Sequence, residues 1–209
     1  MAAAFPGTRW VAAAWFVVWL PAYWHYWGWR NFLQLCDVAV FLSVAGFCLG
    51  SPLLLSSQAV NLLVVSAAWF ADLLWRATTG GHLIGGTEYM WDARFPLWLR
   101  LLSLYHVALA LVLLWSLRRT GYDARGWKLQ AAIALPVLIA GRLLAPGMNY
   151  NMAERDPFFG QQAGPAAVHL ALTWLGLVAI VYFPTHLLLA KLYPSPPAAN
   201  RKQQRENRR

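Results

Sequence analysis

One thiol and one imidazole in this 209-residue sequence could pair as a nucleophile and its base. They are Cys36 and His106, and an imidazole that takes the proton of a thiol leaves a thiolate that can carry an acyl group. Either Asp37 or Asp72 could orient the imidazole. The residue types therefore indicate acyl hydrolysis or transfer with a catalytic set of Cys36, His106, Asp37 and Asp72. A cysteine in an apolar run is also a common packing residue, so the packing interpretation stays open.

Substrate-binding candidates come from two long polar segments and the residues that flank them. The segments are HLIGGTEYMWDARF (82–95) and GMNYNMAERDPFFGQQAGP (147–165). Their Gly, Asn, Asp and aromatic residues are typical of folded caps over a site, although aromatic belts at a membrane interface have a similar composition. The candidates for substrate binding are Tyr89, Asp92, Arg142, Asn151, Asp156 and His169.

The composition indicates that these residues belong to a membrane protein. The sequence is 59% hydrophobic and 12% charged, whereas soluble domains carry about 25% charged residues. So few charges could not cover a soluble domain of this size, and the composition excludes a disordered chain and a nucleic-acid-binding domain. The net charge of +9 reflects basic residues that flank apolar runs, where they report membrane topology.

Apolar windows of about 20 residues predict an all-helical, polytopic membrane domain over residues 1–193 with six transmembrane helices. The Gly50-Ser51-Pro52 turn makes the second and third spans an antiparallel pair. The predicted spans are 10–28, 33–50, 52–75, 96–117, 127–145 and 165–190.

The distribution of basic residues predicts that both termini are cytoplasmic. On that side lie Arg9, Lys191 and the basic loop that contains Arg118, Arg119, Arg125 and Lys128, consistent with the positive-inside rule. Residues 194–209, which end in RKQQRENRR, are expected to form a basic, disordered cytoplasmic tail.

This topology places nearly all ionisable residues of the bundle in its outer half. Buried ionisable groups are costly unless they are paired or hydrated, so their clustering indicates a functional cavity. We expect the cavity to be lined by spans two to six, with the two long segments as its lid and lipid as its ligand. Structural ion pairs near the interface are the alternative, and the inner half is expected to be almost entirely apolar, without a polar path for transport.

Three short motifs carry a resemblance to a known family. They are NFLQLCD around Cys36, LSLYHVALALVLLW around His106, and the loop from Asn151-Met152 through Asp156-Pro157-Phe158-Phe159-Gly160 to His169. Their order resembles the small integral-membrane family of the animal ether-phospholipid acyltransferase and its bacterial relatives. That family is similar in fold to the androgen-induced hydrolases of fatty-acid esters. The resemblance implies that Cys36 and His106 form the catalytic pair, because a Cys or Thr and a later His do so in that family.

One residue departs from the family pattern, and other similarities carry no activity. The family cysteine is followed by His, whereas Asp37 follows Cys36 here, which leaves the activation of the thiol open. The pattern CDVAVFL…GGTEYMWD…LSLYHV…YFPTHLLL also resembles uncharacterised bacterial membrane proteins. The bacterial relatives imply a location in the inner (cytoplasmic) membrane.

Two other classes of function remain open on the sequence. Histidines in the helices could ligate haem, and a Trp-rich bundle could hold a quinone or a pigment. The bundle could also be a non-catalytic subunit that docks with other membrane proteins. No metal-binding motif is present, and the sequence specifies neither a cofactor nor an oligomeric state.

Overall fold

The computed structural model describes residues 5, 7–156 and 159–195, and every regular element in these ranges is helical. The predicted all-helical class is therefore confirmed. The α-helices are α1 (Thr8–Trp27), α2 (Leu35–Leu49), α3 (Pro52–Thr79), α4 (Leu97–Leu102), α5 (Tyr105–Thr120), α6 (Gly126–Leu144), α7 (Ala166–Gly176) and α8 (Phe183–Leu192). Short 3₁₀-helices cover Trp29–Leu33, Glu88–Met90 and Tyr150–Met152, and a π-helix covers Leu177–Tyr182.

Four helical segments among the described residues are long and apolar enough to cross a membrane, which marks the chain as a membrane protein. They are Pro52–Thr79, Leu97–Thr120, Gly126–Leu144 and Ala166–Leu192. The apolar helix α2 is shorter. The helix α1 has 20 residues, five of them Trp, and is not among the four segments.

Two of the predicted spans are interrupted. The fourth breaks at Ser103 and Leu104, between α4 and α5, and the last changes from α- to π-helix at Leu177 before α8 begins. The sequence predicted continuous helices at both places. Such interruptions leave backbone carbonyls free for other partners, and π-turns are frequent at functional sites.

The connections define two ends of the bundle. At the long-loop end, residues 80–96 and 145–165 connect neighbouring helices, and α2 begins there. At the short-turn end, the connections are Gly50-Ser51 and residues 121–125. The predicted Gly50-Ser51-Pro52 turn is present: Gly50 has a φ of 60°, and Ser51 Oγ caps α3 by accepting a hydrogen bond from the Leu54 amide at 3.4 Å. Proline suits the first turn of a helix, so the local sequence explains the tight reversal.

The central element of the bundle is α3. Its residues from Leu55 to Leu62 are all buried, and it packs against α2, α5 and α6. At the start of α6, Gly126 lies against α3 so closely that a Cβ atom on it would come within 2.9 Å of Ser56 Cβ and 3.0 Å of the Ser57 amide nitrogen. Only glycine allows this approach of the two backbones.

We expect Gly126→Ala to destabilise the protein by about 1–3 kcal/mol, because the added methyl group forces α6 away from α3. Gly176→Ala is the matched control, since Gly176 is also helical and a Cβ atom there meets nothing within 4 Å. Alanine is the better helix former, so the control should keep or raise the melting temperature. Thermal unfolding in detergent compares the two variants, and equal melting temperatures would contradict the close contact.

Most of the predicted tail, residues 196–209, lies outside the described residues. The last described residue, Ser195, donates a hydrogen bond to the Tyr122 carbonyl, and the Tyr122 amide donates to the Tyr193 carbonyl at 2.8 Å. The segment after α8 is therefore attached to the short-turn end up to Ser195.

Candidate functional site

A cavity of about 560 Å³ lies toward the long-loop end of the bundle. Its volume is in the range of small-molecule and cofactor sites. Leu35, Leu62, Val65 and Leu177 contribute apolar wall, and polar and aromatic side chains complete the lining.

The walls of this cavity differ in part from the prediction. Both long segments contribute to the lining, through Gly86 and Tyr89 from one and Met148, Tyr150, Asn151 and Met152 from the other. The first helix also contributes, with Tyr23 and Trp27, although the sequence placed it outside the site. No described residue of α6 lines the cavity, so the expectation that spans two to six form it is wrong for the fifth span.

Cys36 and Asp37 reach the cavity from the first turn of α2. A 3₁₀-helix ends at Leu33, and Gln34 is extended, with a ψ of 137°, so the chain turns sharply before α2 begins. The amide groups at the start of a helix favour negative charge, which suits the Asp37 carboxylate in the first turn. Cys36 is partly exposed, whereas Asp37 is buried.

Two neutral donors hold the Asp37 carboxylate. Asn31 Nδ2 donates to Oδ2 at 2.5 Å, and the Tyr105 hydroxyl donates to Oδ1 at 2.7 Å. Within the described ranges Asp37 has no salt bridge, and no Lys or Arg lines the cavity. The carboxylate is thus fixed by hydrogen bonds and not by a cation.

His106 lies in the first turn of α5, just after the break in the fourth span. Its Nδ1 is 2.9 Å from the Ser103 carbonyl oxygen. A carbonyl only accepts, so we assign the proton to Nδ1, which leaves a lone pair on Nε2. The ring lies between Trp69, with centroids 4.8 Å apart and planes 9° apart, and Tyr105, with centroids 4.2 Å apart. These contacts fix the orientation of an imidazole that can act as a base through Nε2.

The predicted nucleophile and base share the cavity without touching each other. Cys36 and His106 are both lining residues, but no hydrogen bond joins these two described side chains. Tyr105 connects the two neighbourhoods: its hydroxyl donates to Asp37, the residue next to Cys36, and its ring stacks on His106. Apo sites often show long catalytic contacts, and one bridging water suffices for proton transfer.

Tyr89 and Asp92, which the sequence assigned to substrate binding, separate in the structure. Tyr89 lines the cavity and packs edge-on against Trp27, with ring centroids 5.4 Å apart. Burial raises the pKa of Tyr89 well above its usual value, so its hydroxyl stays protonated and can donate. Asp92 lies at the surface, where Arg94 binds it at 2.6 Å and lowers the pKa of the carboxyl. Asp92 does not reach the cavity.

Asp72, predicted as a catalytic carboxylate, organises the loop after α3 and does not line the cavity. It is fully buried, and Oδ1 accepts three hydrogen bonds from consecutive amides, those of Leu83, Ile84 and Gly85, at 2.7, 2.7 and 2.9 Å. The Thr87 hydroxyl and His82 Nδ1, 2.9 Å away, bind Oδ2. All its partners lie within this loop, so Asp72 holds the lid segment that presents Tyr89 and cannot orient His106.

Asn151 lines the cavity, but its side chain is bonded to the backbone and positions the turn before α2. Its Oδ1 accepts from the Leu35 amide at 2.8 Å, and its Nδ2 donates to the Leu33 carbonyl at 2.8 Å. The side chain therefore ties the second long loop to the turn just before Cys36. Asn151 itself has a φ of 56°, in the left-handed region that asparagine tolerates better than most residues.

The other three predicted substrate-binding residues hold the second long loop. His169 accepts from the Ala163 amide through Nδ1 and donates through Nε2 to the Met152 carbonyl, both at 3.1 Å. None of the three lines the cavity. Arg142 donates to the Ala153 carbonyl at 2.7 Å and to Gln162 Oε1 at 2.5 Å, and Asp156 accepts from the amides of Phe159 and Gln161 at 2.6 and 2.9 Å.

Several polar residues of the site were not singled out from the sequence. Tyr105 and Asn31 bind Asp37, and the Tyr23 hydroxyl lies 2.6 Å from Ser103 Oγ. Only Tyr105 carried a usable signal, its position next to His106. The roles of Asn31, Tyr23 and Ser103 depend on contacts between α1, α2 and the break before α5. The spacing of residues along one helix does not reveal such contacts.

The expectation of an almost entirely apolar inner half is wrong. A chain of buried polar side chains leads from the cavity toward the short-turn end. Gln58 Nε2 donates to Gln130 Oε1 at 3.4 Å, Gln130 Nε2 donates to the Tyr182 hydroxyl at 3.5 Å, and that hydroxyl donates to Asn61 Oδ1 at 3.5 Å. Asn61 and Tyr182 also line the cavity, and the π-helix ends at Tyr182. The prediction considered only ionisable residues, so it missed these uncharged amide side chains, which bond to one another inside the bundle.

The described residues contain no group of three or more His, Cys, Asp or Glu side chains arranged to hold a metal ion. Both ring nitrogens of His169 bind backbone groups, and Nδ1 of His186 lies 3.0 Å from the Tyr122 hydroxyl at the short-turn end. His106 remains the one histidine that lines the described cavity.

Comparisons with known proteins add no assignment. No model of a protein family matches the chain, and neither a curated protein nor a solved structure matches it. The class that fold and site define is an all-helical membrane protein with a cavity that contains a thiol, an imidazole and a buried carboxylate.

Proposed function

We propose that this protein hydrolyses or transfers the acyl group of a lipid ester, with Cys36 as nucleophile and His106 as base. The observation that carries the proposal is the shared cavity: a helix-start thiol and an imidazole with an unprotonated Nε2 line one space with apolar walls. An acyl chain fits such walls, and the two polar groups supply the elements of nucleophilic catalysis. The resemblance to the ether-phospholipid acyltransferase family supports the same pair.

The proposed membrane topology has six spans and both termini in the cytoplasm. In addition to the four long apolar segments, α1 and α2 would complete the bundle, and the 3₁₀-helix Trp29–Leu33 lies in the turn between them. Basic residues at the short-turn end, Arg118, Arg119, Arg125 and Lys128, support a cytoplasmic location of that end. The cavity would then face the outer leaflet, in a bacterial inner membrane.

The proposed reaction has two halves. His106 Nε2 takes the proton of the Cys36 thiol through one water, and the sulfur attacks the ester carbonyl carbon. As the carbon–oxygen bond breaks, the leaving alcohol takes the proton from His106, and a thioester remains on Cys36. Water or an acceptor alcohol then gives its proton to Nε2 and attacks the thioester, and the released sulfur recovers that proton.

Other residues of the cavity have supporting roles in this proposal. The Tyr89 hydroxyl, which lines the cavity, is the candidate donor to the carbonyl oxygen as it becomes negative. Asp37 supports the pair through Tyr105, and Asn151 positions the turn that presents Cys36.

His106→Ala tests the base. We expect kcat/KM for a long-chain 4-nitrophenyl ester in maltoside micelles to fall by about 10²–10⁴-fold, because general-base catalysis contributes a factor of that order. Added imidazole should restore part of the rate by occupying the space next to Trp69. The control is His25→Ala, since His25 is exposed on α1 and does not line the cavity. Equal rates for the two variants would remove His106 from the mechanism.

A further inference from the structure

The cavity contains a carboxylate without a counter-ion. Asp37 is 1% exposed, its two hydrogen-bond donors are neutral, and no basic side chain lines the described cavity. An ionised carboxylate in a region of low dielectric gains most from a nearby positive charge. Arg30, next to Asn31 in the 3₁₀-helix, acts electrostatically on Tyr150 but does not line the cavity, so no described lining residue supplies a positive charge and the wall favours a ligand that brings one.

Aromatic rings line the same cavity as this carboxylate. Seven lining residues are Tyr or Trp, from α1, α3, α5, the π-helix and both long loops. Two pairs of rings meet at steep angles and form corners: Tyr23 and Tyr105 at 69° with centroids 6.1 Å apart, and Trp27 and Tyr89 at 78° with centroids 5.4 Å apart. Ring faces around a space of this kind attract organic ammonium groups.

The two lid tyrosines also lie in the field of Asp37. Burial is the first cause of the raised pKa of both Tyr89 and Tyr150, and the Asp37 carboxylate raises each pKa further. Both hydroxyls therefore stay neutral near the carboxylate. The two long loops thus close the cavity with uncharged aromatic side chains that do not compete with a cation.

We propose that the cavity binds an organic ammonium group, with Asp37 as its counter-ion and the aromatic side chains, including Tyr89 and Tyr150, as its walls. The group belongs either to a lipid headgroup or to a small free cation of the choline type. If the group belongs to a lipid headgroup, the ester substrate is a lipid with an ammonium headgroup. This assignment of the substrate rests on the proposed function. Binding itself requires no catalysis by Cys36.

Calorimetric titration of the full-length Cys36→Ala protein in maltoside micelles tests the small cation. The probes are choline and its uncharged carbon analogue, 3,3-dimethyl-1-butanol, which has the same shape. We expect choline to bind at least about tenfold more tightly than the analogue, because only the cation gains from the carboxylate and the ring faces.

Lipid headgroups are tested with the same protein in nanodiscs of equal parts phosphatidylcholine and phosphatidylglycerol. Native mass spectrometry of the protein released from the discs shows which lipid it retains. Retention of phosphatidylcholine supports the headgroup source, and choline binding without lipid preference supports the free cation. If phosphatidylcholine is not preferred and choline binds no better than its analogue, the proposal is overturned.

Asp37→Asn should weaken the binding of the ammonium probe by at least about tenfold, and Asp92→Asn, at the surface, should leave it unchanged. If Asp37→Asn fails to fold, Tyr150→Leu serves in its place, because Tyr150 is partly exposed and lies in a loop. Unchanged probe affinity in a folded Asp37→Asn protein, or in the Tyr150→Leu protein that replaces it, contradicts the site. If the protein binds the ammonium probe selectively but the wild-type protein does not turn over the ester, the binding site is supported and the acyl chemistry is refuted.

Discussion

Cys36→Ala is expected to abolish ester turnover. Loss of the nucleophile removes the covalent route, and in a serine protease the same kind of loss lowers kcat by about 10⁶-fold. The first turn of α2 keeps its backbone contacts in this variant, because Asn151 binds the backbone of Leu33 and Leu35 and not the Cys36 side chain. The loss should therefore appear in kcat, with an unchanged melting temperature. Initial rates with the 4-nitrophenyl ester measure it.

The chain provides a matched control in its second free cysteine. Cys48 is exposed near the end of α2, at the opposite end from the cavity. Cys48→Ala should retain full activity, and Cys36→Ser, with its poorer nucleophile, should be nearly as inactive as Cys36→Ala. If Cys36→Ala turns over the ester at the rate of Cys48→Ala, the assignment of the nucleophile is wrong.

Asp72→Ala is expected to cause the largest loss of stability. The carboxylate binds three consecutive amides, a hydroxyl and a histidine ring while it is itself fully buried. Each of these donors that stays buried without its acceptor costs about 1–3 kcal/mol, and several lose it at once. We expect a lower melting temperature and faster amide hydrogen exchange over residues 82–87. Activity should fall as well, because the same loop presents Tyr89 to the cavity.

Asp92, a surface carboxylate of the same loop, provides the control that distinguishes the loss of the Asp72 hydrogen bonds from the loss of one negative charge. Asp92 pairs with exposed Arg94, and such pairs contribute little to stability. Asp92→Ala should therefore unfold and exchange like the wild-type protein. Protection of residues 82–87 that survives in Asp72→Ala would show that the carboxylate does not hold the loop.

Apolar segments were the most predictable part of the fold. The six predicted spans correspond to helical segments of the structure with boundaries shifted by a few residues, because apolar length alone specifies them. The break at Ser103 and Leu104 was not predictable, since no proline or glycine signals it, whereas Pro184 indicated a kink in the last span but not the π-helix that precedes it. Both depend on packing against α1, α3 and α6.

The sequence predicted site residues correctly where a chemically suitable residue type lay at a suitable predicted depth in the membrane. Cys36, Asp37, His106, Tyr89 and Asn151 do line one cavity. Asp72 was misplaced because a buried carboxylate that caps a loop has the same sequence signature as a catalytic one. The three backbone amides that bind it belong to a loop whose path the sequence does not specify.

The most direct test of the acyl chemistry is the isolation of its covalent intermediate. The full-length protein in maltoside micelles is mixed briefly with a 4-nitrophenyl ester of a fatty acid, quenched in acid and analysed by intact mass and peptide mapping. We expect one added acyl group on the Cys36 peptide, removed by neutral hydroxylamine, present in Cys48→Ala and absent in Cys36→Ala. Ester turnover without acylation of Cys36, or acylation equally divided between Cys36 and Cys48, would contradict it.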